Sequence, residues 1–282
     1  MDAKTKTNTR VKIRVCRPSD QDAIQKLFKD CIVFSAGSPA RVALSDAFTS
    51  HTVYGCYLLL AISISFVAMT LRSSSSSPSS SPTLATTTSS YLANMITFYT
   101  AISAILLTTL YLAILFHGRT SLYVNFAYSS CKDDLSKIVD HYELKRIADG
   151  GMEGMGGEGE WEYETTGPKG FWVAEIGEEV VGCVGLDISS LHGPPHGEMR
   201  RMVVSPHHRR LGIAQKLNAV FEAHARKYAL ESIVLTTTEF QPGPRVLYEK
   251  NGYFVDSTKL MPSGVMWVRF YFYRKWLGDV EK

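Results

Sequence analysis

Hydrophobic and polar residues follow two kinds of pattern along this chain. Near the start, "VKIRVCRP" alternates in the manner of a β-strand, and "DQDAIQKLFKDCIV" follows with Ile24, Leu27, Phe28 and Cys31 on one helical face behind Asp20, a suitable cap. Much later, "KDDLSKIVDHYELKRI" sets Leu135, Ile138, Val139 and Tyr142 at helical spacing, and a glycine-rich acidic loop, "DGGMEGMGGEGE", ends it. "FWVAEIGEEVVGCVGLDI" predicts a hairpin turning at Gly177, and "GEMRRMVV" predicts another strand. A helix from about Gly212 to Tyr228, the strand "SIVLTT", the short helix "PRVLYEKN" and two closing strands around "GYFVDS" and "VMWVRFYFY" complete the series. The predicted order is β, α, insertion, α, β, β, β, α, β, α, β, β, an α+β domain.

The insertion follows a different rule. Residues 53–71 and 91–116 carry no charge and no polar stripe, and each is near the length of about 20 apolar residues that crosses a bilayer core as a helix. The longer run predicts a tilted helix. A buried hairpin of a soluble protein and a re-entrant hairpin are the alternatives. Between the runs lies "RSSSSSPSSSPTLATTTSS", residues 72–90, a low-complexity connector with too little apolar area to offset the entropy of ordering it. The N-terminal arm is rich in lysine and arginine and Arg119 follows the second run, whereas the connector holds only Arg72. The positive-inside rule then puts both flanks in the cytosol and the connector in the lumen, with a lipid bilayer as partner. Three segments result: 1–33, the first strand and helix of the α+β domain; 34–119, the membrane insertion; and 120–282, the rest of the domain.

Composition narrows the class. At 282 residues and 45% hydrophobic, the chain has material for one sizeable core with additions. A net charge of +3 is too mild to argue for nucleic acid as a partner. The five cysteines are scattered without a close pair, which suits a reducing compartment and no metal. The N-terminal stretch has no apolar core before Ser19, so it is not read as a secretory signal.

The chemistry centres on "SPHHRRLGIAQKL", residues 205–217, where a strand gives way to a helix. A helix start presents unpaired N–H groups and the positive end of the macrodipole, a place for an anion. Gly212 lets backbone approach a phosphate, Ala214 keeps the next turn uncrowded, and Arg209 and Arg210 add positive charge. Ile213, Leu217, Val220, Phe221 and His224 share one face that docks the helix. No Gly-Lys-Ser/Thr and no Gly-x-Gly-x-x-Gly accompanies it, so neither a P-loop nor a Rossmann fingerprint is present. His207 and His208 are adjacent in a loop without a carboxylate or thiol nearby and read as solvated histidines rather than metal ligands.

"RRLGIA", residues 209–214, resembles the Arg/Gln-x-x-Gly-x-Gly/Ala signature of the GCN5-related N-acetyltransferase (GNAT) family, and "LYEKNGYF", residues 247–254, resembles its second motif. "FWVAEIGEEVVGCVG", "EMRRMVVSPHHRRLGIA" and "VLTTTEFQPGPRVLYEKNGY", together with the inserted hairpin, are similar to its camello-like, N-acetylaspartate synthetase-like branch. The chain departs from many of those relatives at Gln241 and Pro244. The resemblance implies a GNAT-type mixed central sheet flanked by helices, acetyl-coenzyme A as co-substrate without a metal, and attachment to the endoplasmic reticulum. It implies acetylation of a small-molecule amine, L-aspartate or another amino acid, with protein lysines or cysteine conjugates as alternatives. A non-catalytic membrane module with the same fold is a further alternative.

Roles carry over residue by residue. Backbone groups of Met202, Val203 and Val204 would pair with the pantetheine arm, and Arg209, Arg210, Leu211, Gly212, Ile213 and Ala214 would hold the diphosphate, with Gln241 a further contact. Tyr248 stands at the family's general-acid position, or else is a core aromatic. Glu198 is a candidate base, or else an ion-pair partner of Arg200 or Arg201. Strand parity sends Arg200 and Arg201 to opposite faces, so that one of them is expected to bind a substrate carboxylate.

Overall fold

The computed structural model describes residues 10–75, 84–147, 162–188, 195–263 and 266–278. The chain forms two compact units, one drawn from Met1–Val42, Leu122–Ser263 and Trp267–Lys282, the other from Ala43–Ser121.

The first unit is built on a sheet of β1 (Lys12–Val15), β4 (Gly170–Ile176), β5 (Glu179–Ile188), β6 (His196–Val204), β7 (Ser232–Thr238), β8 (Phe254–Ser263) and β9 (Met266–Trp276). The strands lie in the order β1-β4-β5-β6-β7-β9-β8. Among the described residues β6 and β7 are registered in parallel, and the pairs β1–β4, β4–β5, β5–β6 and β7–β9 are antiparallel. This is the expected mixed sheet. Gly177 turns the β4–β5 hairpin with φ +64°, a left-handed conformation that glycine adopts without strain.

Helix α6 (Ile213–Lys227) buries Ile213, Leu217, Phe221 and Ala225 against Trp172, Leu186, Met199, Ile233 and Tyr273. The expected face of α6 is therefore the one that docks. Helix α1 (Gln21–Lys29) packs on β5 and β6 with Ile24, Leu27 and Phe28 buried. Asp20 caps α1 by position alone, without a side-chain cap. Its carboxylate instead binds Arg14 at 2.6 and 2.8 Å, and Arg14 also reaches Glu175 at 2.6 Å. The same carboxylate also accepts from the Arg17 N–H at 2.8 Å, so it ties down the turn before α1 rather than the helix's own first N–H groups.

The helix expected around Leu135–Tyr142 is a single turn, α5 (Ile138–His141), followed by a small antiparallel hairpin of β2 (Leu144–Arg146) and β3 (Tyr163–Thr165). Glu143 takes a left-handed φ of +55°, which breaks the helix. Leu135, Ile138 and Tyr142 are still buried. The acidic glycine loop, residues 149–160, lies outside the described residues.

Tyr142 fills the space above Gly185: a Cβ at Gly185 would sit 2.7 Å from the Tyr142 hydroxyl and 3.0 Å from the Phe171 ring. Gly185→Ala should therefore destabilise the domain by about 1–3 kcal/mol through overpacking, measurable as a lowered denaturation midpoint.

The second unit contains α2 (Pro39–Phe48) from Ala43 onward, α3 (His51–Ser75) and most of α4 (Leu84–Lys132), whose last turns from Leu122 belong to the first unit. Residues His51–Arg72 and Tyr91–Lys132 form stretches long and apolar enough to cross a membrane. Both helices extend past the expected 53–71 and 91–116 and take in both ends of the expected connector, leaving residues 76–83 outside the described set. Inside both helices serine and threonine hydroxyls bond back to the helix backbone. Ser65, Thr97, Thr100 and Thr109 each donate to the carbonyl four residues back at 2.8–2.9 Å. Beyond Arg119, α4 continues because Tyr123 and Ala127 are buried in the first unit.

Candidate active site

The strand that carries the site separates from its neighbour. Strands β6 and β7 pair only from His196 with Ser232 to Glu198 with Val234. From Met199 to Val204, β6 is registered with β5 alone, so its β7-side edge is unpaired among the described residues. An unpaired strand edge offers N–H and C=O groups to an extended ligand.

Within this free stretch β6 bulges. The register against β5 shifts between Cys183 and Gly185, and Arg201 adopts φ +54°, a left-handed conformation uncommon outside glycine. The bulge corrects the parity expectation, because it sends both arginines to the α1 face. Arg200 reaches Asp187 at 3.3 Å and Glu198 at 3.0 Å. Arg201 grips Asp134 through Nε at 2.9 and 3.0 Å and Nη2 at 2.5 Å.

The two arginines differ in availability. Arg201 is 9% exposed over an Asp134 side chain that is fully buried, and its guanidinium lies 5.5 and 5.3 Å from the rings of Phe28 and Phe126. Burial alone would raise the Asp134 pKa, but Arg201 and the Tyr142 hydroxyl, 2.7 Å away, outweigh it and hold the carboxyl below its ordinary value. Removing either partner of such a pair costs on the order of 3–5 kcal/mol. Arg200, 22% exposed, is the more open of the two.

Glu198 stands on the last rung before the strands part. Its Oε2 accepts from Arg200, while Oε1 has no partner among the described residues. Asp187, directly across from Glu198 on β5, also binds His141 at 3.0 Å.

After Val204 the chain turns through Pro206–His208 to the start of α6. Arg210 and Gly212 both adopt left-handed backbone, at φ +66° and +73°. Gly212 is the N-cap and has no side chain to cover the helix start. The first helical bond is Lys216 N–H to Gly212 C=O, so the N–H groups of Ile213, Ala214 and Gln215 have no helical acceptor. Successive N–H groups turned inward by left-handed residues form an anion-binding nest. Arg209, Arg210 and Leu211 are exposed beside it, and neither arginine has an ion pair among the described residues.

Gln241, at the N-cap of α7 (Pro242–Lys250), accepts from the Thr237 hydroxyl at 2.6 Å and the Thr238 N–H at 3.3 Å. Its carbonyl is thus used to close the β7–α7 turn.

Tyr248 lies on α7 with its ring 6.0 Å from Tyr253 and 5.9 Å from Tyr273. Tyr273 pairs with Leu235, the first β7 residue past the last rung shared with β6. That places Tyr248 beside the split on the α6 side. Burial and the neighbouring Tyr273 push its pKa up to about 12, and its hydroxyl has no hydrogen-bond partner among the described residues. The described residues gather no group of three potential metal ligands.

Of the residues singled out from the sequence, Met202 to Val204 and Arg209 to Ala214 share one strand–loop–helix run, Glu198, Arg200 and Arg201 precede it on β6, and Gln241 and Tyr248 stand apart at the N-cap and in the body of α7. Asp134 and Asp187, which fix the two arginines, were missed. Asp134 lies 67 positions before Arg201, and no spacing in the chain links them.

Residues 138–253 match the model of the Acetyltransferase (GNAT) family. Among curated proteins, N-acetyltransferase 8B of Rattus norvegicus is 35% identical over 109 residues, 36% of this chain and 48% of that protein. Probable N-acetyltransferase camello of Xenopus tropicalis is 32% identical over 93 residues, 33% of this chain and 42% of that protein. The chain thus spans less than half the length of these relatives. A GNAT-family acetyltransferase from Staphylococcus aureus of known structure aligns over 52% of this chain and 78% of its own, with 20% identity and a TM-score of 0.38. Residues 138–253 are thus similar to the GNAT acetyltransferases, and the relatives they resemble include proteins named N-acetyltransferase 8B and camello.

Proposed function

We propose that this protein is a membrane-anchored N-acetyltransferase that moves the acetyl group of acetyl-coenzyme A to the amine of a small molecule, an amino acid such as L-aspartate. The observation that carries this reading is the continuity of the free β6 edge with the uncapped, left-handed start of α6. A long ligand with an extended amide-bearing arm and a diphosphate matches both parts.

Bound acetyl-coenzyme A supplies an acetyl group activated as a thioester. The backbone of Met202, Val203 and Val204 holds the arm and polarises the carbonyl. The N–H groups at Gly212, Ile213 and Ala214, with Arg209 and Arg210, hold the diphosphate. Glu198 takes the proton of the attacking amine, directly or through water, and Tyr248 gives its proton to the departing sulfur. Glu198 lies on the α1 face and Tyr248 on the α6 side, so the two groups approach the split from opposite sides. Arg200, the more open arginine, supplies the positive charge for an acceptor carboxylate.

A Tyr248 pKa near 12 sets the pH behaviour. The hydroxyl keeps its proton below that value, so turnover should rise as the acceptor amine deprotonates and show no fall assignable to Tyr248 below about pH 12. A kcat profile up to the alkaline unfolding limit checks this.

Thioester consumption by the full chain, with free amino acids including aspartate set against lysine peptides and cysteine conjugates, tests the acceptor class. Turnover confined to peptides would overturn the small-molecule reading. The apolar helices support the anchor, and the lysine- and arginine-rich flanks support a cytosolic side for both. In sealed vesicles a protease site placed within residues 72–90 should be protected. Cleavage there from the cytosolic side would refute a crossing hairpin.

A further inference from the structure

We infer that Arg201, locked by Asp134, is a positioning residue that fixes the bulge in β6 and thereby aims the Met202–Val204 backbone at the coenzyme A arm. The inference rests on the acetyltransferase reading above.

Three observations converge on it. Arg201 holds φ +54°, a strained conformation for a non-glycine residue, so something must hold it there. Its side chain is fixed from three elements: Phe28 of α1, Phe126 of α4 and Asp134 just past the end of α4. The residues immediately after it, Met202 to Val204, lie within the stretch whose β7-side edge is unpaired.

The clamp is itself anchored. Asp134 accepts from the Tyr142 hydroxyl at 2.7 Å, and Tyr142 packs on Phe171 with ring centroids 5.0 Å apart. Carboxylate, guanidinium and phenol thus form one buried unit beneath the bulge. Lysine in place of Arg201 would keep a charge but lose the planar fork that binds both carboxylate oxygens. Without the fork the left-handed residue is free to relax, and the N–H and C=O groups that follow it rotate with it. The diphosphate nest lies beyond Ser205, whose N–H is separately tied to Val181 at 2.8 Å, and it should not move with the bulge.

Calorimetric titration of the full chain in detergent, with coenzyme A and with adenosine 3′-phosphate 5′-diphosphate, tests the idea. The second probe keeps the diphosphate and lacks the arm. In Arg201→Lys and Asp134→Asn, coenzyme A affinity should fall at least about fivefold, the equivalent of one or two lost backbone hydrogen bonds, while affinity for the short probe stays within twofold. Equal weakening of both probes, or of neither, overturns the positioning role. Failure of the wild-type chain to bind either probe overturns the acetyltransferase reading instead. Should Arg201→Lys not fold, Asp134→Asn gives the same comparison, and loss of folding in both variants with wild-type affinity per folded molecule in Arg201→Gly marks the pair as purely structural.

Discussion

Tyr248→Phe will lower the turnover number by about a hundredfold or more while leaving the affinity for coenzyme A unchanged. A positioned general acid contributes typically 10²–10⁴-fold, and the phenylalanine removes only the hydroxyl. The ring contacts with Tyr253 and Tyr273 do not involve that oxygen, so packing is preserved and the fold should not respond. No hydrogen bond of the folded chain is broken either, because the hydroxyl has no partner among the described residues. The hydroxyls of Tyr142, Tyr253 and Tyr273 have partners, and in the proposed reaction the hydroxyl of Tyr248, beside the strand split, meets the departing sulfur. The measurement is steady-state acetyl transfer alongside calorimetry. A kcat within threefold of wild type would remove Tyr248 from the mechanism and leave it as a core aromatic.

The same residues show how far sequence reaches. Period and turn signals located most of the strands and α6, because a strand or helix that buries one face must write that face into its spacing. The signature 209–214 falls on the left-handed turn into α6, since a left-handed N-cap calls for glycine at position 212. What escaped depends on contacts between distant positions. The bulge at Arg201 overturned the simple alternation of Arg200 and Arg201, and nothing local marks an arginine as left-handed. Asp134 sits within a stretch that reads as helix, and its role exists only once α4 and β6 are packed together. The short β2–β3 hairpin joins segments flanking the acidic loop, each too brief to show a period. In the insertion, apolar composition marked the helices, but both run past the expected ends, one to Ser75 and the other from Leu84.

The second large effect concerns Gly212, where backbone conformation and ligand affinity can be separated by a graded series. A Cβ at this position would meet only Gln215 Oε1 at 4.0 Å, so space does not demand glycine, whereas φ +73° does. Left-handed backbone costs an ordinary L-residue roughly 1–2 kcal/mol, less for asparagine and more for a β-branched residue. Coenzyme A affinity should therefore fall in the order Gly212→Asn, Gly212→Ala, Gly212→Val. For valine the loss should reach on the order of a hundredfold, because a relaxed N-cap also turns away N–H groups whose charge-assisted hydrogen bonds are worth about 1.5–3 kcal/mol each. Loss of bulk tolerance alone would rank the variants by volume and place asparagine below alanine. A conformational requirement ranks them by their tolerance of positive φ and places asparagine above it. Calorimetry on the three variants decides between these orders, and a valine variant that binds coenzyme A as tightly as wild type would show that the diphosphate is held elsewhere.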